Sequence, residues 1–162
     1  MDEQPEVKLS WHEYAMASEV GRLRQLASIK AGLIDRHGYV GNGWAEHIEG
    51  ALGELVVAKV LGIYWDGSVN TFSRDDLPGV QVRTRSETYY DLIVRPCDPD
   101  DATWVLVTGK CPSYVVRGWI AGSDAKQPQW LKDHGSRPRA YFIPQEALRP
   151  IVELCAYNKI TG

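Results

Sequence analysis

The hydrophobic periodicity of this chain changes at Gly62, and this change limits the possible folds more than any other feature. Before Gly62, apolar residues recur at helical spacing over residues 11–33 and again over about 44–61, and Gly62 stands where a helix C-cap would be. Between these segments, residues 35–43 form a Gly-rich loop sequence. After Gly62, short β-rich runs alternate with turn residues. The pattern predicts an α/β (α+β) domain in which helices pack on a mixed sheet.

The β-rich runs are short and bounded by Asp, Gly and Pro. They predict strands over residues 80–84, 89–94, 103–108, 113–121 and 140–144, a hairpin turn at 109–112, a helical turn around Trp130-Leu131, and a last helix over 146–154 that Pro150 bends or interrupts. The segment 95–102 is too short for a parallel crossover. We therefore expect strands 89–94 and 103–108 to be antiparallel, or the strand register to differ.

Bulk composition is typical of a globular protein. The 162 residues are 44% hydrophobic and 24% charged, and they match the size of a single domain over 1–162. The sequence has no apolar run long enough to span a bilayer and an acidic, polar start, so we expect no membrane partner and a cytoplasmic location. Three widely spaced cysteines argue against a disulfide framework. The formal net charge of −3 does not by itself suggest a nucleic-acid coating protein.

The predicted second helix contains residues suited to a site. Glu54 follows His47 by seven residues, so both side chains lie on one face of the helix. Gly50 and Gly53 lower helix stability, which indicates that another backbone approaches closely. Tight packing on another helix or on a strand, and the approach of a nucleic-acid backbone, both remain open as reasons.

The strand over 80–84 presents a polar face. Because side chains alternate along a strand, Gln81 and Arg83 point away from the apolar residues. A solvated strand face would have the same pattern. The context favours a site, because Asp75 and Asp76 precede the strand across a Pro-Gly turn and a helix with Glu54 precedes them.

A helical Glu, then an Asp, then a strand ending in Glu-x-Lys is the metal-site signature of the PD-(D/E)XK nuclease superfamily, which this chain resembles. The Asp position falls on Asp76, with Asp75 as a neighbouring candidate, the helical Glu on Glu54, and Glu-x-Lys on Gln81 and Arg83. The chain also looks like small phage and prophage proteins of that superfamily over the following runs: 50–54, 64–67, 80–84, 92–96, 118–120 and 140–144. The likeness extends over about two thirds of the chain.

The resemblance implies a restriction-endonuclease-like fold and a Mg²⁺- or Mn²⁺-dependent DNA endonuclease, cytoplasmic in a bacterial host cell. Glu54, Asp76 and Gln81 would then supply the metal ligands. Arg83 would contact the scissile phosphate, because a guanidinium stays protonated and cannot act as a base. His47 would be an accessory proton carrier.

Further arginines could extend a phosphate-binding strip beside Arg83, or could simply keep the surface soluble; they are Arg85, Arg95 and Arg117. Three tryptophans could stack on bases or pack in the core: Trp65, Trp119 and Trp130. Many relatives of the fold are dimers, and nothing in this sequence identifies a dimer face.

The sequence also departs from the family pattern. Gln81 in place of Glu removes a negative charge from the metal site, and Arg83 in place of Lys changes the geometry of the cation. A long crossover helix between strands 89–94 and 103–108, which the family core normally has, is also missing. An inactive module of the same fold that binds nucleic acid or a protein partner is therefore the alternative function. A plain accessory protein with a solvated strand face is the third hypothesis.

Overall fold

Two long helices form one layer of the fold in a computed structural model that describes residues 3–32, 42–69 and 75–155. Helix α1 (Trp11–Lys30) begins with a capping box between Ser10 and Glu13. Helix α2 (Gly43–Leu61) begins at Asn42, whose side chain accepts from two backbone N–H groups, and ends at Gly62 with a φ of 67°. The predicted C-cap is confirmed. Apart from Asn42 and Gly43, the predicted loop 35–43 lies outside the described residues.

The described residues contain seven strands, numbered in chain order: β1 (Glu6–Lys8), β2 (Val80–Arg85), β3 (Leu92–Val94), β4 (Thr103–Lys110), β5 (Ser113–Ala121), β6 (Leu131–Lys132) and β7 (Ala140–Ile143). A four-stranded sheet has the order β1-β5-β4-β2, with β2 parallel to β4 and the other pairs antiparallel. Strands β3, β7 and β6 form a second, antiparallel sheet. The predicted α+β class with a mixed sheet is confirmed.

Of the two alternatives predicted for the strands at 89–94 and 103–108, the antiparallel pair is wrong, and the strand bounds differ from the predicted ones. The first of these begins only at Leu92 and pairs with β7, so it never joins β4. The parallel neighbour of β4 is β2, and residues 86–102, which include β3, connect the two. This connection is long enough for a parallel pair without a helix.

Two apolar clusters lie on opposite faces of the main sheet. One is formed by α1, α2 and the strand residues that face them, including Val80, Val82, Val105 and Val107. The other joins the second sheet to the opposite face of β4 through residues such as Trp104 and Leu106. Strand β4 is therefore buried on both faces, which explains its unbroken apolar sequence.

The C-terminal helix predicted over 146–154 is corrected by the structure. A 3₁₀ turn, Gln145–Ala147, is followed by extended residues, and Arg149 forms an isolated β-bridge with Trp119. Helical residues resume only at Val152, after Pro150. Proline cannot donate the backbone hydrogen bond that a continuous helix needs, and the bridge holds Arg149 in an extended conformation. The predicted helical turn near Trp130 is also a 3₁₀ turn, Pro128–Trp130.

Three short elements have no strong sequence pattern and were not predicted: strands β1 and β6 and the one-turn helix α3 (Gly122–Ala125). The helices in the described part of the chain include none that is both long and apolar enough to cross a bilayer.

Candidate functional site

A cavity of about 970 Å³ lies beside β2, the strand at one end of the main sheet. Residues from both faces of β2 line it, as do residues of α1 and α2, so the cavity wraps around the strand edge. Its charged and titratable lining residues are Arg24, Glu46, His47, Glu49, Glu54, Asp75, Asp76, Arg83, Arg85, Tyr90, Arg95 and Arg137. Gln81 and Gly50 also line it. The fold thus places eight of the nine sequence-predicted site residues around one opening.

Glu54 is the most buried carboxylate of this site. It is 5% exposed, and both oxygens are engaged: Arg24 donates to Oε1 at 2.6 Å and to Oε2 at 3.0 Å, while Trp65 Nε1 donates to Oε2 at 3.0 Å. Arg24 also donates to the carbonyl oxygen of Ser68. Glu54 therefore accepts three hydrogen bonds, two of them from one guanidinium.

Arg24 is a functional neighbour that the sequence analysis missed, because its position on α1 resembles that of an ordinary surface arginine. A signal exists in Gly21, three residues earlier on the same face. A Cβ at Gly21 would lie 2.4 Å from Cα of Ile48, so only glycine allows α1 to approach α2 this closely. The close approach places Arg24 within reach of Glu54.

Asp76 is a half-buried carboxyl of the cavity, and its pKa is raised. Burial, together with the nearby charge of Glu54, raises the pKa of Asp76 to about 6, although the N–H of Val82 donates to its Oδ2 at 2.8 Å. The charges of Arg83 and Arg24 lower the pKa of Asp76 and offset only part of this rise. Burial thus disfavours the ionised carboxylate of Asp76. Binding of a proton, or of another cation, would relieve this cost.

The polar face of β2 lines the cavity as the alternation predicted. Gln81 Nε2 donates to Asp75 Oδ1 at 2.8 Å. Arg83 is held by Asp98 at 3.2 Å and lies over the ring of Trp104, 4.4 Å from the ring centroid. Arg85 donates to the carbonyl oxygen of Asp91 and lies over the ring of Tyr90. The two guanidinium groups are oriented by these partners rather than free to rotate.

The remaining predicted residues differ in their positions. Arg95 lines the cavity, and within the described residues its guanidinium makes no ion pair. Arg117 lies outside the cavity on β5, where it donates to Thr108 Oγ1 and to Gln4. His47 lines the cavity with a buried Nδ1 that has no hydrogen-bond partner in the described structure. Burial and the charge of Arg24 lower the pKa of His47, which favours the neutral imidazole.

The three tryptophans that could have stacked on bases are packing residues. Trp65 is 8% exposed and bonds Glu54, Trp119 donates to the carbonyl oxygen of Pro150, and Trp130 packs against the second apolar cluster. An exposed aromatic residue, Tyr64, lines a neighbouring cavity.

The two helix glycines have different roles. A Cβ at Gly53 would lie 1.8 Å from Thr84 Oγ1, so this glycine serves close packing of α2 on β2. A Cβ at Gly50 would meet nothing within 4 Å, and Gly50 lines the cavity. Of the two reasons left open by the sequence, packing explains Gly53.

Comparison of the chain with protein-family models, with curated proteins and with solved structures gave no match. What this site does must therefore be inferred from its chemistry.

Proposed function

We propose that this chain binds the phosphodiester backbone of DNA in the cavity beside β2 and hydrolyses it with Mg²⁺ or Mn²⁺ held at Asp76. The observation on which this rests is a single cavity that brings the carboxyl of Asp76, whose pKa is raised, together with Arg83 and Arg95. A carboxylate that burial disfavours gains most from a divalent cation, and arginines suit phosphate oxygens.

The donor atoms support a hard cation, with a ligand set different from the one predicted. Among the described residues, no three His, Cys, Asp or Glu side chains are grouped to hold a metal ion. Both oxygens of Glu54 already accept hydrogen bonds, and so do both oxygens of Asp75, from Gly79 N–H and from Gln81 Nε2. This leaves the carboxylate of Asp76 and the amide oxygen of Gln81. Mg²⁺ commonly takes one or two carboxylates and completes its shell with water and phosphate oxygens, so this all-oxygen set fits.

Each side chain then has a distinct task. Arg95 and Arg83 bind the phosphate and neutralise its charge, and Arg83 is oriented for this by Asp98 and Trp104. His47 is neutral near pH 7 and can accept the proton of the attacking water. The cation, when bound, makes water more acidic and stabilises charge on phosphate oxygens. Glu54 has an indirect role, because it accepts two hydrogen bonds from Arg24 and so fixes the position of that guanidinium.

A second candidate function is binding of nucleic acid without hydrolysis. The observation that favours it is the bidentate Arg24–Glu54 pair, which removes from the ligand set the helical carboxylate that the resemblance assigns to the metal. In that case the guanidinium of Arg24 would permanently supply the positive charge beside Glu54 that a metal ion would otherwise supply.

A cleavage assay separates the two functions. Purified protein is incubated with supercoiled, linear duplex and single-stranded DNA in Mg²⁺, in Mn²⁺ and in EDTA. Asp76→Asn is the test variant, because its amide oxygen can still accept from Val82 N–H while it cannot hold a cation as a carboxylate does. Asp101→Asn, at an exposed turn, is the matched control.

Metal-dependent cleavage by the wild type and by Asp101→Asn, absent from Asp76→Asn, is the expected result. DNA binding without cleavage in any metal would replace hydrolysis by the binding function. A protein that neither cuts nor binds DNA would refute both.

A further inference from the structure

A second cavity, of about 620 Å³, adjoins the first across Asp75 and Asp76, which line both. Its other lining residues are Ile63, Tyr64, Asp66, Leu77 and Pro78. The second space therefore lies next to any ligand bound at Asp76 from the arginine side.

The two cavities differ in the charged side chains of their described lining: five arginines and five carboxylates line the first. Arginines from α1, β2 and the following segments line the first. The described lining of the second contains three carboxylates and no lysine or arginine. A neutral nucleobase can contact the apolar Ile63, Leu77 and Pro78 of the second cavity. Exocyclic amino groups of bases also donate hydrogen bonds to carboxylates.

Tyr64 supplies an aromatic surface at this position. It is 86% exposed, the largest exposure among the large hydrophobic side chains that the structure describes. Stacking on a base would cover the ring without requiring a particular base, since every base has a π-face. The nearby Trp65 cannot take this role, because its side chain is buried against Glu54.

We infer that the second cavity is a subsite for one unpaired base, stacked on Tyr64, of a strand whose phosphates lie among the arginines of the first cavity. The substrate class is then single-stranded nucleic acid or an unpaired segment of a duplex, because a paired base must leave its stack to enter. This inference rests on the proposed function and specifies its substrate.

The test is binding of a fluorescein-labelled single-stranded DNA 12-mer in EDTA, measured by anisotropy, with the matching duplex in parallel. The variants are Tyr64→Ala, Tyr64→Phe and Arg95→Gln. Trp11→Ala is the control for losing an exposed aromatic residue, since Trp11 is 64% exposed on α1 and lines neither cavity. Arg139→Gln is the control for losing an exposed arginine outside the cavities.

We expect Tyr64→Ala to weaken single-strand binding by roughly tenfold, and Tyr64→Phe to bind as the wild type does. Duplex affinity should be the same in the wild type and in Tyr64→Ala. Weaker binding by Arg95→Gln together with unchanged binding by Tyr64→Ala would overturn the subsite and leave the proposed function intact. If the wild type binds neither DNA, or if Arg95→Gln and Tyr64→Ala both bind as the controls do, the subsite and the proposed function fall together.

Discussion

At the scale of single residues, Asp76 holds a charge that its surroundings disfavour. Its pKa of about 6 lies above the ordinary value of 3.8, so the folded protein retains a proton that the unfolded chain releases. The stabilisation from this group is fully present below about pH 4 and is lost as the pH rises through about 6. Above that pH the ionised carboxylate destabilises the fold in the absence of a cation.

We therefore predict that Asp76→Asn is more stable than the wild type at pH 8, by about 2 kcal/mol, and that the difference disappears near pH 4. The magnitude follows from about 1.4 kcal/mol for each unit of pKa, reduced for partial exposure. Urea denaturation at pH 4, 6 and 8 measures it, with Asp101→Asn as the control. Equal free energies of unfolding for the wild type and Asp76→Asn at pH 8 would contradict the raised pKa of Asp76.

The Arg24–Glu54 pair gives a second prediction at this scale. The two side chains are 21% and 6% exposed, and removing one partner leaves the other charge buried. Arg24→Met should lower the free energy of unfolding by about 3–5 kcal/mol. Arg24→Met combined with Glu54→Gln should recover a large part of this loss, because no unpaired charge remains.

Chemical denaturation of the two single variants and the double variant provides the measurement. The matched control is Arg22→Met, which removes an exposed ion pair with Glu19 on the same helix and should change stability little. Equal losses from Arg24→Met and Arg22→Met would show that the buried pair has no special role.

At the scale of elements, the contact between α2 and β2 sets the position of Glu54 relative to Asp76. Gly53 lies against Thr84, and Gly50 lies one turn away against open space. Alanine is favoured over glycine inside a helix by about 1 kcal/mol. Substitution of Gly50 therefore measures helix propensity, whereas substitution of Gly53 in the same helix also measures packing.

We predict opposite effects for the same substitution at these two positions. Gly50→Ala should raise the free energy of unfolding by up to about 1 kcal/mol, because its Cβ meets nothing. Gly53→Ala should lower it by about 1–3 kcal/mol, because the new methyl group displaces Thr84 and β2. Thermal denaturation of both variants is the measurement, and a stabilised Gly53→Ala would refute the close contact.

At the scale of the whole molecule, the proposed cation binding would be linked to global stability through Asp76. A ligand that binds only the folded state raises stability, and at ten times its Kd the gain is about 1.4 kcal/mol, or roughly 3 °C in Tm. A proton on Asp76 would compete with the proposed cation. We predict that Mg²⁺ or Mn²⁺ raises the Tm at pH 8, raises it less at pH 5, and leaves the Tm of Asp76→Asn unchanged.

Differential scanning calorimetry in EDTA and in excess metal tests this at both pH values. A metal-induced shift of the same size in Asp76→Asn would place the cation elsewhere. The absence of a shift in the wild type, combined with DNA binding, would favour the binding module over the nuclease.

Several elements of this fold are specified by local signals in the sequence. Helices α1 and α2 follow from apolar periodicity and caps, and the Gly62 C-cap from the residue that tolerates a left-handed backbone. The alternation of side chains along β2 is enough to place Gln81 and Arg83 on one face. The hairpin from β4 to β5 follows from its turn residues. These signals involve neighbours within a few residues, so a single sequence contains them.

The meeting of distant groups, by contrast, is settled only in the folded molecule. The parallel pairing of β2 with β4, the transfer of β3 to a second sheet and the position of Arg117 outside the cavity depend on contacts far apart in sequence. So does the Arg24–Glu54 pair, which joins two helices and changes the ligand set expected for a cation. Charge and burial act through space, and the pKa of Asp76 is therefore a property of the assembled fold and not of the residues that precede or follow it.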